Sequence, residues 1–126
     1  MKVEVNKIQY DVRFERTWIK PNGRPFEFKD INEFNACSKK RMVTKCIIST
    51  IDESKHGRDR YVPVAAGVAY QSKKDAPVKF IGRKVSFCDA IERSSFDKDV
   101  RNAFYSHFES EHGFVPKKTE ELGMTR

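Results

Sequence analysis

The hydrophobic pattern changes its period once along the chain, near Asp75. Upstream, Val3, Val5, Ile8, Tyr10 and Val12 mostly alternate with polar neighbours. That is the period of two required of a strand buried on one side. In RTWIKPNGRPFEFKD, residues 16–30, Pro21-Asn22-Gly23 separates Trp18-Ile19 from Phe26-Phe28. Turn residues between two strand-like runs predict a hairpin. The next stretch, INEFNACSKK, reads as one helical turn or a connection. MVTKCIISTI and RYVPVAAGVAYQS are then rich in Val, Ile, Thr and Tyr, and the polar loop DESKHGRD with Gly57 lies between them. They predict a second hairpin, with Pro63 marking an edge strand or a bulge.

Downstream the spacing becomes helical. Val85, Cys88 and Ile91 recur every three residues and Phe87 and Ile91 are four apart, so one face from Lys84 to Glu92 is apolar. A second helix follows Ser94-Ser95, where Ser94 and Asp97 have capping-box spacing and Val100, Ala103, Phe104 and Phe108 form its stripe. Gly113 is placed to end it. The proline-started, polar stretch over 115–126 reads as a loosely held tail. The predicted fold class is α+β: an N-terminal antiparallel sheet of about five strands followed by two C-terminal helices on one face. With 126 residues and no linker, 1–114 reads as a single domain.

Composition narrows the setting. No apolar run approaches the roughly 18 residues of a membrane span, and the N-terminus lacks the apolar stretch of a signal peptide. A soluble, intracellular protein is expected. Three cysteines, Cys37, Cys46 and Cys88, have no close pair, which fits free buried thiols in a reducing compartment. Lys and Arg number 25 against 18 Asp and Glu, a net charge of +7. Such a surface attracts anions, whether nucleic acid, a nucleotide or an acidic protein. It fits a solvated basic face equally well.

The most pointed chemistry is Gly82-Arg83-Lys84 at the expected start of the first helix. Cations at that end oppose the helix dipole. An anion held there by backbone N–H groups, Arg83 and Lys84 would explain them, with Gly82 allowing close approach. A glycine turn with two solvated cations is the plainer alternative. Lys73, Lys74 and Lys79 precede the turn, and Arg93 and Arg101 follow on the two helices. Phe80 is placed to stack on a base or to sit in the core.

Catalysis has less support. His56, His107 and His112 lack zinc-ligand spacing, and neither a nucleophile elbow nor a Walker loop occurs. Ser72 with Asp75 reads more simply as a turn ahead of Pro77 than as a catalytic pair. The expectation is a non-enzyme without metal or cofactor.

From Gly67 to Phe87 the order is a strand with Gly-Val-Ala, a Ser72-x-x-Asp75 loop, the aromatic Phe80, Gly82-Arg83 and a helix. It resembles a group of small phage proteins that includes the Thoeris anti-defence sponges, which capture a cyclic ADP-ribose signal. The resemblance covers about the last half of the chain. It implies a sheet followed by two helices, assembly into homodimers or larger rings in the host cytoplasm, and a cyclic nucleotide held between protomers without cleavage. Under this reading the candidate ligand-binding residues are Asp75, Phe80, Gly82, Arg83 and Lys84, with Arg93 or Arg101 completing the pocket from the same or a neighbouring protomer. The rival reading is a nucleic-acid-binding or host-inhibiting protein whose Lys39, Lys40, Arg41, Lys45 and helical cations form a phosphate-contacting patch. Cations spread along one continuous face favour nucleic acid; cations converging on a concavity favour a small anion.

Overall fold

The computed structural model describes residues 1–71 and 79–112, the latter without the side chains of Lys79, Phe80 and His112. The expected tail over 115–126, Gly113 and the Ser72–Asp75 loop lie outside the described residues. The fold is α+β: four antiparallel strands in sequential order, with three α-helices.

The sheet differs from expectation at its start. One strand was expected from Val3 to Val12, yet β1 spans Lys2–Val5 and β2 spans Ile8–Ile19. Asn6 and Lys7 between them have φ of 51° and 67°. Two consecutive left-handed residues make the tight turn whose twist suits a hairpin. Val5 thereby pairs with Ile8, and Val3 with Tyr10.

The expected hairpin after Trp18 is only begun. The Pro21-Asn22-Gly23 turn closes through Gly23 N–H to Lys20 O, 2.9 Å, and Lys20 N–H to Arg24 O, 2.8 Å. Pairing then reduces to a single bridge, Ile19 with Pro25. Pro25 offers no N–H to extend a ladder. Phe28–Asp30 is a 3₁₀ turn instead of a strand, and it leads into the short helix α1, Ile31–Ala36. The sheet therefore has four strands where about five were expected. Trp18, Phe26 and Phe34 form an edge-to-face cluster that seats this excursion on the end of the sheet.

β3, Arg41–Ile51, is the central ladder, and β4, Tyr61–Tyr70, is the edge strand Pro63 suggested, with a register shift opposite Ile48/Ser49. Even-numbered residues of β2 and β3 face the core: Val12 pairs with Ile48 and Phe14 with Cys46. On that face lies α2, Lys79–Arg93, packed mainly on β4 and β3. From Lys84 to Ile91 all its residues are buried. Beside it, α3, Lys98–His112, adds Phe104 and Phe108; Phe108 stacks on Phe87 with ring centroids 4.5 Å apart. Its cap is Asp97, whose Oδ1 accepts the Val100 N–H at 2.9 Å. Ser94, expected in that role, instead donates to Ile91 O at 2.6 Å. Cys46 and Cys88 are buried in this core, and desolvation pushes the Cys46 thiol well above its usual range.

The edge of β4 is protected by a buried carboxylate. Asp89 Oδ2 accepts the Val68 N–H at 2.8 Å, and Oδ1 accepts Arg93 Nε at 2.9 Å. An inward charge on an outward-pointing N–H blocks pairing with a further strand. Asp89→Ala leaves the half-buried Val68 N–H without its acceptor, an expected loss of about 2 kcal/mol. Arg93→Ala removes only the 62%-exposed partner and should cost under about 1 kcal/mol. Urea unfolding midpoints of the two variants check that order.

Candidate functional site

The sequence-chosen residues do not form one site among the described residues. Gly82 lies in the first turn of α2 and faces the sheet: a Cβ there would meet Thr44 Oγ1, with Thr44 Cβ at 3.1 Å. It is a packing glycine, which brings the helix close to β3. Lys84 is buried. Arg93 is engaged with Asp89 and stands about 15 Å from Arg83 along the helix at 1.5 Å per residue. Arg101 turns its Nε back to Phe96 O at 3.0 Å. The guanidinium of Arg83 lies 5.4 Å over the Phe14 ring. Asp75 and the Phe80 side chain lie outside the described residues.

The other face of the sheet is organised differently. The strand register that turns Val12, Cys46 and Ala69 toward the helices turns Arg13, Lys45 and Tyr70 away from them. Among the described residues, no helix packs on this second face. Near one end stands Tyr61, with the guanidinium carbons of Arg13 and Arg60 at 5.4 and 5.2 Å from its ring centroid. Arg60 Nη2 also donates to the Tyr61 hydroxyl at 3.1 Å. At the opposite end Arg41 lies 5.8 Å over Tyr70, its Nε bonded to Gln71 O at 3.2 Å. Exposed Lys45 lies between, beside Val68 and opposite Glu15.

Two hollows mark the ends of this face. One of about 290 Å³ is lined by Arg13, Glu15, Arg58, Tyr61 and Pro63 with Ile47 and Ser49 beneath. The other, of about 230 Å³, is lined by Lys20, Arg41 and Tyr70 with the Pro21–Gly23 turn. At about 3.3 Å per residue, Tyr61 and Tyr70 stand roughly 30 Å apart along β4. The arrangement is a shallow track with an aromatic ring and an overlying guanidinium at each end and a lysine between them, nearer the Tyr70 end. Such a track contacts phosphates through its cations and lets unpaired bases stack on the guanidinium–ring pairs.

Comparison with protein-family models, with curated proteins and with solved structures returned no match. The candidate site therefore rests on geometry alone.

Of the patch considered in the sequence, Arg41 and Lys45 belong to this track. Lys40 does not: its Nζ donates to Phe34 O at 2.9 Å and sits 4.1 Å over the Phe34 ring. Tyr61, Tyr70, Arg13, Arg58 and Arg60 were missed. Their signal was present in the two tyrosines bracketing β4, but only the register against β3 decides which face a strand residue takes.

Proposed function

We propose that the protein binds single-stranded nucleic acid on the uncovered face of its sheet. The observation that carries this reading is the pair of guanidinium-stacked tyrosines at the two ends of that face with Lys45 between them. The net charge of +7 draws a polyanion to the surface. Cations spread along a face, with rings among them, suit a chain of phosphates and bases better than a single compact ligand. Paired bases have no free π-face to offer, so single strands are preferred.

The test is a salt titration of binding to labelled single-stranded and duplex oligonucleotides. With Arg13, Arg41, Lys45 and Arg58 each neutralising one phosphate, log affinity should fall against log salt with a slope near about −3 for single strands. Duplex of the same length should bind more weakly. Equal or tighter duplex binding contradicts the reading. Displacement of the strand by cyclic ADP-ribose would instead favour a sponge that holds a cyclic nucleotide signal between the protomers of a homodimer or larger ring.

A further inference from the structure

The edge of β2 has a gap. Met1 and Val12 exchange both main-chain hydrogen bonds, at 3.0 and 2.7 Å, and beyond the other end of the gap Phe26 N–H reaches Trp18 O at 3.4 Å. Main-chain directions alternate along a strand, so Phe14 and Arg16, like Val12, turn their N–H and C=O groups away from β3. At this gap a cleft of about 420 Å³ opens, walled by Phe14 and Val12 and bordered by Arg13, Asp11, Arg83 and Glu111. Its volume falls in the range of small-molecule sites.

One group in the cleft is unexplained by the fold. Among the described residues, Nε of Arg83 is buried and has no hydrogen-bond partner, while its guanidinium is held over Phe14. Buried donors in folded proteins almost always have an acceptor, so a donor left unpaired by the described residues calls for a further acceptor. We propose that the cleft binds the phosphoryl group of a small molecule, which accepts from Arg83 Nε and from the Phe14 N–H. Asp11, whose carboxylate is 3.9 Å from Arg13, and Glu111, which is held 3.0 Å from His107 Nε2, stand on the rim. Two rim carboxylates beside the Arg83 guanidinium limit the negative charge the cleft accepts, favouring one phosphoryl group over a polyphosphate. This site is separate from the track on the open face and does not depend on strand binding there.

The experiment is a titration of the full chain with inorganic phosphate, then adenosine monophosphate, at constant ionic strength, followed by ¹H–¹⁵N spectra that include arginine Nε–H signals. Saturable shifts of the Phe14 amide and Arg83 Nε–H are expected, with the Tyr70 amide unmoved. Arg83→Met keeps the aliphatic stem over Phe14 and should weaken phosphate binding at least about tenfold. Arg83→Lys should recover little of it, because lysine restores the charge without an N–H at the Nε position. In Arg83→Met, single-strand affinity should stay within about twofold. Shifts that grow without saturating, or that spare Phe14 and Arg83 Nε, mean nonspecific ion binding only and overturn the site. Unchanged phosphate affinity in Arg83→Met overturns it as well. The wild-type spectra decide the matter even where a variant folds poorly.

Discussion

Gly67→Ala should destabilise the protein by about 3 kcal/mol, at the upper end of what overpacking costs. Gly67 lies on the core face of β4, opposite Cys46, where α2 rests directly on the strand. A Cβ at Gly67 would collide with the Ala90 nitrogen and the Ser86 carbonyl oxygen, with Ala90 Cα only 2.8 Å away. These are helix backbone atoms, which cannot rotate aside as a side chain can. Accommodating one methyl group therefore requires lifting α2, and with it Phe87, Cys88 and Ile91, out of the core. The same displacement pulls Asp89 from the Val68 N–H. The melting temperature should fall by on the order of 10 °C. Gly23→Ala is the control: nothing lies within 4 Å of its Cβ, and only its φ of +88° resists substitution, at about 1 kcal/mol. Thermal and urea unfolding of both variants measures the difference. Equal midpoints would mean that α2 does not rest on Gly67.

The second large effect concerns binding. Tyr61→Ala combined with Tyr70→Ala should weaken single-strand affinity by about 2 to 6 kcal/mol, since each base–aromatic stack contributes about 1 to 3 kcal/mol. The rings stand at opposite ends of β4, so their losses should add. The paired Phe variants keep the π-faces and should retain most of the affinity. Both tyrosines are only half-buried, and the far-ultraviolet spectrum should be unchanged. Fluorescence anisotropy with a labelled oligonucleotide at low salt reads the loss. Wild-type affinity in the double alanine variant would remove stacking from the account.

The order of sheet and helices was legible because the period changes from two to helical spacing where the structure changes from strand to helix. Finer features were legible only in hindsight or not at all. The apolar positions of the first stretch are odd at Val3 and Val5 and even from Ile8 onward, and this change of parity is the Asn6-Lys7 turn. Pro63 announced its edge position because proline has no N–H to lend to a ladder. Gly82 misled, since a glycine that admits a ligand and a glycine that admits Thr44 look alike in sequence. Arg83, Arg93 and Arg101 were grouped by proximity in the chain, whereas Asp89 and the Phe96 carbonyl draw two of them away from the first. The open-face track joins residues from three strands and could not be assembled before the register was known.

The most direct measurement is photo-crosslinking of a bromouridine-substituted single strand to the full chain, with the modified peptides mapped by mass spectrometry. The open-face account predicts adducts on the peptides carrying Tyr61 and Tyr70 that diminish as salt rises. Adducts confined to the outer surfaces of α2 and α3, with none on β4, would contradict it.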